Sequence, residues 1–209
     1  MIVDGLFITF EGGEGAGKTT VLRTLAEKLQ KEGRPVLATR EPGGSYIAEK
    51  IREVILDPAH TEMDARTEAL LYAAARRQHL VEKVLPHLEK GGIVLCDRFV
   101  DSSIVYQGFA RKIGVEAVRE LNMFATEGRQ PDVTLYFDIS PEDGLKRIGD
   151  NKGREFNRLD RESLAFHEQV RNMYLQLQRE EPERIQLIDA GRSLEEVTDT
   201  AWKVIAEKL

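Results

Sequence analysis

At 209 residues, 41% hydrophobic and 32% charged, the chain is long enough for one sizeable core and too apolar to be disordered. Its formal net charge of −6 argues against a general polynucleotide binder, which needs a basic face to displace counterions, but leaves room for local arginines around a small anion. The single cysteine, Cys96, excludes an intrachain disulfide, and there is no membrane-length apolar stretch or signal-peptide pattern, so a cytoplasmic protein touching no membrane is expected.

The first predicted strand is the apolar run Phe7-Ile8-Thr9-Phe10. A glycine-rich turn follows, and then Val21, Leu22, Leu25, Ala26 and Leu29 recur at helical spacing. Gly12, Gly17, Lys18 and Thr19 therefore satisfy G-x-x-x-x-G-K-[ST] between a strand and a helix, the context that pattern requires. Glycines let main-chain N–H groups wrap a phosphate without a Cβ in the way, and the following helix turns its positive end to the anion. Lys18 can bridge two phosphates, and the Thr19 hydroxyl can hold Mg²⁺. The turn thus reads as a nucleoside triphosphate site made of Gly12, Gly13, Glu14, Gly15, Ala16, Gly17, Lys18, Thr19 and Thr20.

Gly33 and Pro35 punctuate the chain before a second strand at residues 36–39. Arg40-Glu41-Pro42-Gly43-Gly44 then forms a turn at that strand's carboxyl end, the edge where open α/β sheets bind ligands. Ser45 is placed to cap a helix carrying Ile47, Ile51 and Ile55, which Pro58 ends. The next helix is predicted over residues 64–85. A third strand at 93–96, which buries Cys96, finishes in Asp97-Arg98. A carboxylate at that tip suits Mg²⁺, usually through its waters, and the fork of Arg98 suits a second phosphate. Ser102, Ser103, Tyr106, Gln107 and Gly108 read as a polar loop, followed by a helix with Val115, Val118, Leu121 and Ala125.

The fourth strand is expected at 133–137, with a helix starting near Pro141. From Gly149 to Asp160 the apolar pattern disappears while Lys152, Arg154, Arg158 and Arg161 cluster, as in a mobile lid over a site. A long helix runs to about Glu181, the fifth strand covers 185–188, and Ser193 with Glu196 forms a capping box before the last helix. Alternating strands and helices predict an α/β fold, a five-stranded parallel sheet with helices on both faces, in one domain over 1–209. His60, His79, His87 and His167 lack metal-ligand spacing and read as surface or packing residues.

The glycine turn, Thr39-Arg40-Glu41-Pro42-Gly43-Gly44, Asp97-Arg98-Phe99 and Ser102-Ser103-Ile104-Val105-Tyr106-Gln107-Gly108 together resemble bacterial thymidylate kinases in order and spacing. The resemblance implies a P-loop nucleoside monophosphate kinase fold and the reaction ATP + dTMP → ADP + dTDP with Mg²⁺, in a homodimer. It implies an acceptor-binding region near residues 40–85 and a lid near 147–160. Lys18, Arg98, Arg154 and Arg158 would be catalytic, Arg147 would meet ATP, and Thr19 with Asp97 would hold the metal. Glu14, Glu41, Arg52, Tyr72, Arg76, Arg98, Ser103, Tyr106 and Gln107 would bind dTMP.

The side chains suit those roles. Glu14 can accept a sugar hydroxyl, and the Gln107 amide matches the N3–H and carbonyl edge of thymine. Tyr106 can lie under the deoxyribose and crowd a 2′-OH. Tyr72 and Arg76, four apart on one helix, can clamp a base. Three positions depart from the family. Tyr72 stands where Phe is commoner, Phe99 where Tyr or His is common, and Gly15 where some members place an arginine. The alternatives are a kinase for another pyrimidine or deoxynucleoside monophosphate, or an ATP-gated regulatory protein.

Overall fold

The computed structural model describes residues 5–150 and 162–209. Its strands are β1 (Leu6–Gly12), β2 (Val36–Arg40), β3 (Ile93–Asp97), β4 (Val133–Asp138) and β5 (Ile185–Asp189). They form one parallel sheet in the order β2-β3-β1-β4-β5, as the alternation of elements predicts. β1 lies at the centre, paired with β3 on one side and β4 on the other. The chain leaves β1 toward one edge and later crosses to the other, so a crevice opens at the carboxyl ends of β1 and β3.

Successive side chains of a strand point to opposite faces, which gives the sheet two cores. Ile8 and Phe10 pack with Leu25 and Leu29 of α1 (Lys18–Lys31) and with Ile205 of α9 (Leu194–Ala206). Phe7, Val94 and Cys96 face the other way, beside Leu80 and Phe99. A third cluster joins Tyr136 of β4 to Tyr174 and Leu177 of α8 (Leu164–Glu180). The remaining helices are α2 (Tyr46–Leu56), α3 (Ala65–His79), α4 (Leu85–Leu88), α5 (Val100–Ser103), α6 (Val115–Thr126) and α7 (Pro141–Asp150).

Three local expectations need correction. The helix predicted over 64–85 is α3, a π turn at Leu80–Val84, and α4, with Pro86 in the first turn of α4. Proline lacks the N–H that an α-helix interior needs, and the ladder changes register just before it: Leu85 N–H pairs with the Leu80 carbonyl. The polar loop is also helical, α5 running into a π turn at Ile104–Ala110. Its apolar residues bury toward α8 while its polar ones face the crevice, so the sequence carries no single clean period. Ser45 sits at the N-cap of α2 but makes no capping bond; Glu49 instead accepts the Gly44 N–H at 2.7 Å. The capping box of Ser193 and Glu196 forms as read.

Candidate active site

The glycine turn connects the tip of β1 to α1. Gly12 leaves the strand at φ 138°, where an added Cβ would stand 2.4 Å from the Phe137 carbonyl oxygen. Gly17, left-handed at φ 83°, occupies the N-cap of α1. Lys18 curls back, and its Nζ donates to the carbonyls of Gly12 (3.0 Å) and Gly13 (2.7 Å). Burial, and then the neighbouring Arg98 charge, lower the Lys18 ammonium to about 8. The Thr19 hydroxyl donates to Asp97 Oδ2 at 2.5 Å, so the two groups read as metal ligands come together from α1 and β3. Both are hard oxygen donors beside a phosphate-sized turn, a set that suits Mg²⁺.

Arg98 lies just past β3 in a left-handed conformation, φ 70°. Its guanidinium donates to the Gly12 carbonyl (3.1 Å), Ser102 Oγ (3.1 Å) and Glu14 Oε1 (2.6 Å), and lies 5.2 Å from the centre of the Tyr106 ring. Behind it, the Glu11 carboxylate is fully buried and accepts from Phe99 N–H (2.7 Å), Ser102 N–H (3.3 Å), Ser102 Oγ (2.5 Å) and the Tyr174 hydroxyl (2.8 Å). Burial, and then the nearby Asp101, push Glu11 up to about 7. Glu11 therefore pins the segment carrying Arg98 to the strand carrying the glycine turn.

The opposite end of the crevice is built from side chains bonded to one another. Arg76 of α3 is 2% exposed. Its Nε donates to Glu41 Oε2 at 2.7 Å, one terminal nitrogen to Ser103 Oγ (3.0 Å) and Asn122 Oδ1, the other to the Phe99 carbonyl (2.9 Å). A guanidinium carries five N–H donors, so these four bonds leave one for a ligand. Glu41 also bonds His79 Nδ1 at 3.0 Å, and His79 Nε2 meets Thr39 Oγ1 at 2.8 Å. His79 is thus buried, as expected, but as a polar bridge.

Glu41, His79 and Cys96 offer atoms within 4.8 Å of one another. The Glu41 carboxylate is already divided between Arg76 and His79, and burial keeps the Cys96 thiol well above its ordinary value. This cluster is a hydrogen-bonded hub, not a metal centre.

One cavity of about 530 Å³ joins the two ends. Glu14, Gly15, Ala16, Gly17, Lys18, Thr19 and Thr20 line it at the turn, with Asp97, Arg98 and Arg147. Glu41, Arg52, Tyr72, Arg76, Ser103, Tyr106 and Gln107 line the remainder. Arg52 donates to the Pro42 carbonyl at 3.2 Å, and Arg147 to the Ala190 carbonyl at 3.0 Å. Gly12 and Gly13 supply the carbonyls that hold Lys18. Arg154 and Arg158 lie outside the described residues. Arg40, of the Arg-Glu-Pro-Gly-Gly turn, and Arg23 also line the cavity, and Glu11, Glu68 and Asn122 support it; no motif marks Arg23, Glu11, Glu68 or Asn122. Only Glu11 left a trace, a carboxylate immediately after a buried apolar run.

A strand-tip lysine turn that shares one ligand-sized cavity with Arg98 and Arg52 is a geometry that suits two anions. The family model described as thymidylate kinase matches residues 10–201. The chain belongs to the thymidylate kinase family. It is 60% identical over 207 residues to the thymidylate kinase of Bacillus velezensis, covering 99% of this chain and 98% of that one. The thymidylate kinase of Bacillus pumilus is 57% identical over 207 residues, with the same coverage. The crystal structure of thymidylate kinase from Ehrlichia chaffeensis superposes with a TM-score of 0.78 at 30% identity, over 97% of this chain and 98% of that one. Among the described residues no helix is long and apolar enough to cross a membrane.

Two departures from the thymidylate kinase pattern now have physical settings. Gly15 packs on Gly144 of α7, where an added Cβ would stand 2.1 Å from the Gly144 carbonyl oxygen. This backbone has no room for an arginine there. Phe99 is buried edge-on against Phe7, ring centres 5.0 Å apart, and contributes its carbonyl to Arg76.

Proposed function

We propose that the chain transfers the terminal phosphoryl group of ATP to dTMP, giving ADP and dTDP, with the residues above in the following roles. The observation that carries this reading is the single cavity running from the Lys18 turn to Arg76 and Gln107. A phosphate oxygen of dTMP attacks the γ-phosphorus, a P–O bond forms, and the bond to the β-phosphate oxygen breaks as ADP leaves. Positioning and charge stabilisation do the catalysis, so no covalent protein intermediate is needed.

Main-chain N–H groups of Gly13–Thr19 receive the ATP phosphates, and Lys18 leaves its two carbonyls to bridge them. Thr19 and Asp97 would hold Mg²⁺, which supplies charge neutralisation between the phosphates when bound. Arg98 and Arg52 face the phosphate of dTMP, and Glu14 accepts its 3′-hydroxyl. The free N–H of Arg76 meets the thymine O4, and Gln107 meets N3–H. Because Gly15 denies the turn a second cation, Arg154 and Arg158 supply it from a lid at 147–160; loss of either should lower kcat rather than raise KM for ATP.

The reading extends to a homodimer in a reducing, cytoplasmic setting. Its support is an apolar face on α2, α3 and α6: Val54 is 44% exposed, Leu70 58%, Met123 58% and Phe124 86%. One assay tests the function: ADP release with a panel of nucleoside monophosphates. Release that depends on dTMP and exceeds that with dCMP or dUMP is expected. Equal release without any acceptor would overturn the proposal in favour of an ATPase switch.

A further inference from the structure

Gln107 is 2% exposed, yet it lines the cavity. Its Nε2 donates at 2.8 Å to Oε1 of Glu68, a residue of the first turn of α3 that is itself 1% exposed. No sequence motif marks Glu68. A terminal amide has two nearly isosteric ends, one a donor pair and one an acceptor, and an unconstrained glutamine can offer either to a base. A carboxylate only accepts. With Glu68 accepting one of the two Nε2 hydrogens, the NH₂ end is held on its side, and the carbonyl is the end turned toward N3 of a bound base.

We propose that Glu68 is a specificity-determining positioning residue: by holding the NH₂ of Gln107, it makes the site accept a base that donates at N3 and reject one that accepts there. This rests on the assignment of dTMP to the cavity. Thymine carries N3–H, which pairs with the Gln107 carbonyl. Cytosine has a lone pair at N3, which would face that carbonyl oxygen and repel it. Were the amide free to turn, cytosine would gain a donor from Nε2 and the discrimination would weaken. Buried polar groups left unpaired are a strong basis for rejection.

Arg111 completes the device. Its Nε lies 3.5 Å from Glu68 Oε1, and its terminal nitrogen pairs with Glu162 at 2.7 Å. The cation balances the buried carboxylate, so the orientation of Gln107 depends on a Gln107–Glu68–Arg111 relay whose last member is 21% exposed. Of these three residues, Gln107 alone lines the cavity.

The test is the ratio of kcat/KM for dTMP to that for dCMP, in Glu68→Gln, Gln107→Leu and the double variant. Glu68→Gln keeps the shape but lets either amide end point either way. The ratio is expected to fall by about tenfold or more in Glu68→Gln. In the Gln107→Leu background the same substitution should leave the ratio unchanged, because the group it acts through is gone. Equal losses for both substrates would mean a merely structural role and overturn the inference. A ratio change that persists without Gln107 would overturn it too. If the parent enzyme shows no preference for dTMP, the function assignment fails, not the Glu68 step alone. Should Glu68→Gln not fold, ¹⁵N spectra of the parent decide: the Gln107 NH₂ must stay bonded to Glu68 when dTMP binds, and its transfer to the base refutes the proposal.

Discussion

The two ends of the crevice are built from different materials. At the proposed donor end the groups on offer are main-chain N–H groups from one contiguous turn, steered by glycine at Gly12 and Gly17 and closed by the side chain of Lys18. At the acceptor end they are side chains, each held by another far away in sequence: Arg76 by Glu41, Ser103 and Asn122, Gln107 by Glu68. A main-chain cradle recognises charge and shape, which every nucleoside triphosphate shares. A cross-bonded set of side chains recognises a pattern of donors and acceptors, which is what separates one base from another. The contrast also concerns robustness. The donor cradle should fail mainly when a residue of the turn itself changes, whereas the acceptor end should fail from positions that never touch the ligand.

Removing Lys18 attacks the donor end directly. Lys18→Ala is expected to cost about 10³-fold in kcat, in the range of a lost donor to a developing oxyanion, while unfolding stays close to the parent. The fold should be spared because the Lys18 ammonium bonds only two carbonyls of its own loop. Steady-state kinetics with a thermal melt checks both halves. A kcat within tenfold of the parent would mean the turn holds ATP without its lysine.

Asn122 tests the acceptor end from outside the cavity. It sits on α6, 2% exposed, and accepts from Arg76. Asn122→Ala leaves one guanidinium N–H buried and unpaired, at a cost of about 1–3 kcal/mol in stability. The same change should raise KM for dTMP roughly tenfold and leave KM for ATP alone. Urea unfolding and the two KM values are the measurements. Equal shifts in both KM values would erase the distinction between the two ends.

The same contrast explains what could be read in the sequence. The sheet and the donor end follow from contiguous patterns: an apolar run, glycines at set offsets, a lysine, and a buried strand tipped by Asp97-Arg98. The long-range partners leave no local mark. Glu68 and Gln107 are 39 residues apart, Arg76 and Asn122 46, and Ser102 and Glu11 91. The π turn at Ile104–Ala110 shows no helical pattern in the sequence for a related reason. A helix presenting polar residues to a site as well as apolar ones to the core loses the periodicity by which helices are recognised. Tyr106 and Gln107 were nonetheless legible as a pair through resemblance, which reports the residues but not what orients them.

A pH profile separates the ends more gently. Lys18 binds phosphate when charged, and burial beside Arg98 brings it to about 8 in the free enzyme. kcat/KM for ATP should therefore fall above pH 8, approaching tenfold per unit, because the protonated form is the active one. Bound ATP favours the charged ammonium, so the corresponding fall in kcat should move to higher pH. Glu11 sets the acid side. Its ionised carboxylate accepts four donors that hold the Arg98 segment, so activity should rise with pH through about 7. Its effect on stability has the opposite sign. The folded state keeps a proton on Glu11 that the unfolded chain loses near 4.5, so its contribution is present below that pH and lost as pH rises through about 7. A flat kcat/KM for ATP from pH 7 to 9 would contradict the Lys18 assignment.

The smallest effect belongs to Tyr72. It projects into the cavity one helical turn before Arg76, where a flat ring can cover a base that the guanidinium grips at its edge. If the ring's face is what matters, Tyr72→Phe should change kcat/KM for dTMP by less than about threefold, since stacking needs no hydroxyl. Tyr72→Ala should cost about tenfold, matching roughly 0.5–1.5 kcal/mol for an aromatic contact beyond its buried area. The loss should fall on dTMP and dCMP alike, because a ring face reads flatness and not the pattern of donors. That places Tyr72 apart from Glu68 and Gln107 within the same pocket: it sets how tightly a pyrimidine is held, and they set which one. A Tyr72→Phe variant that loses as much as Tyr72→Ala would instead make the hydroxyl the binding group and the ring a spacer.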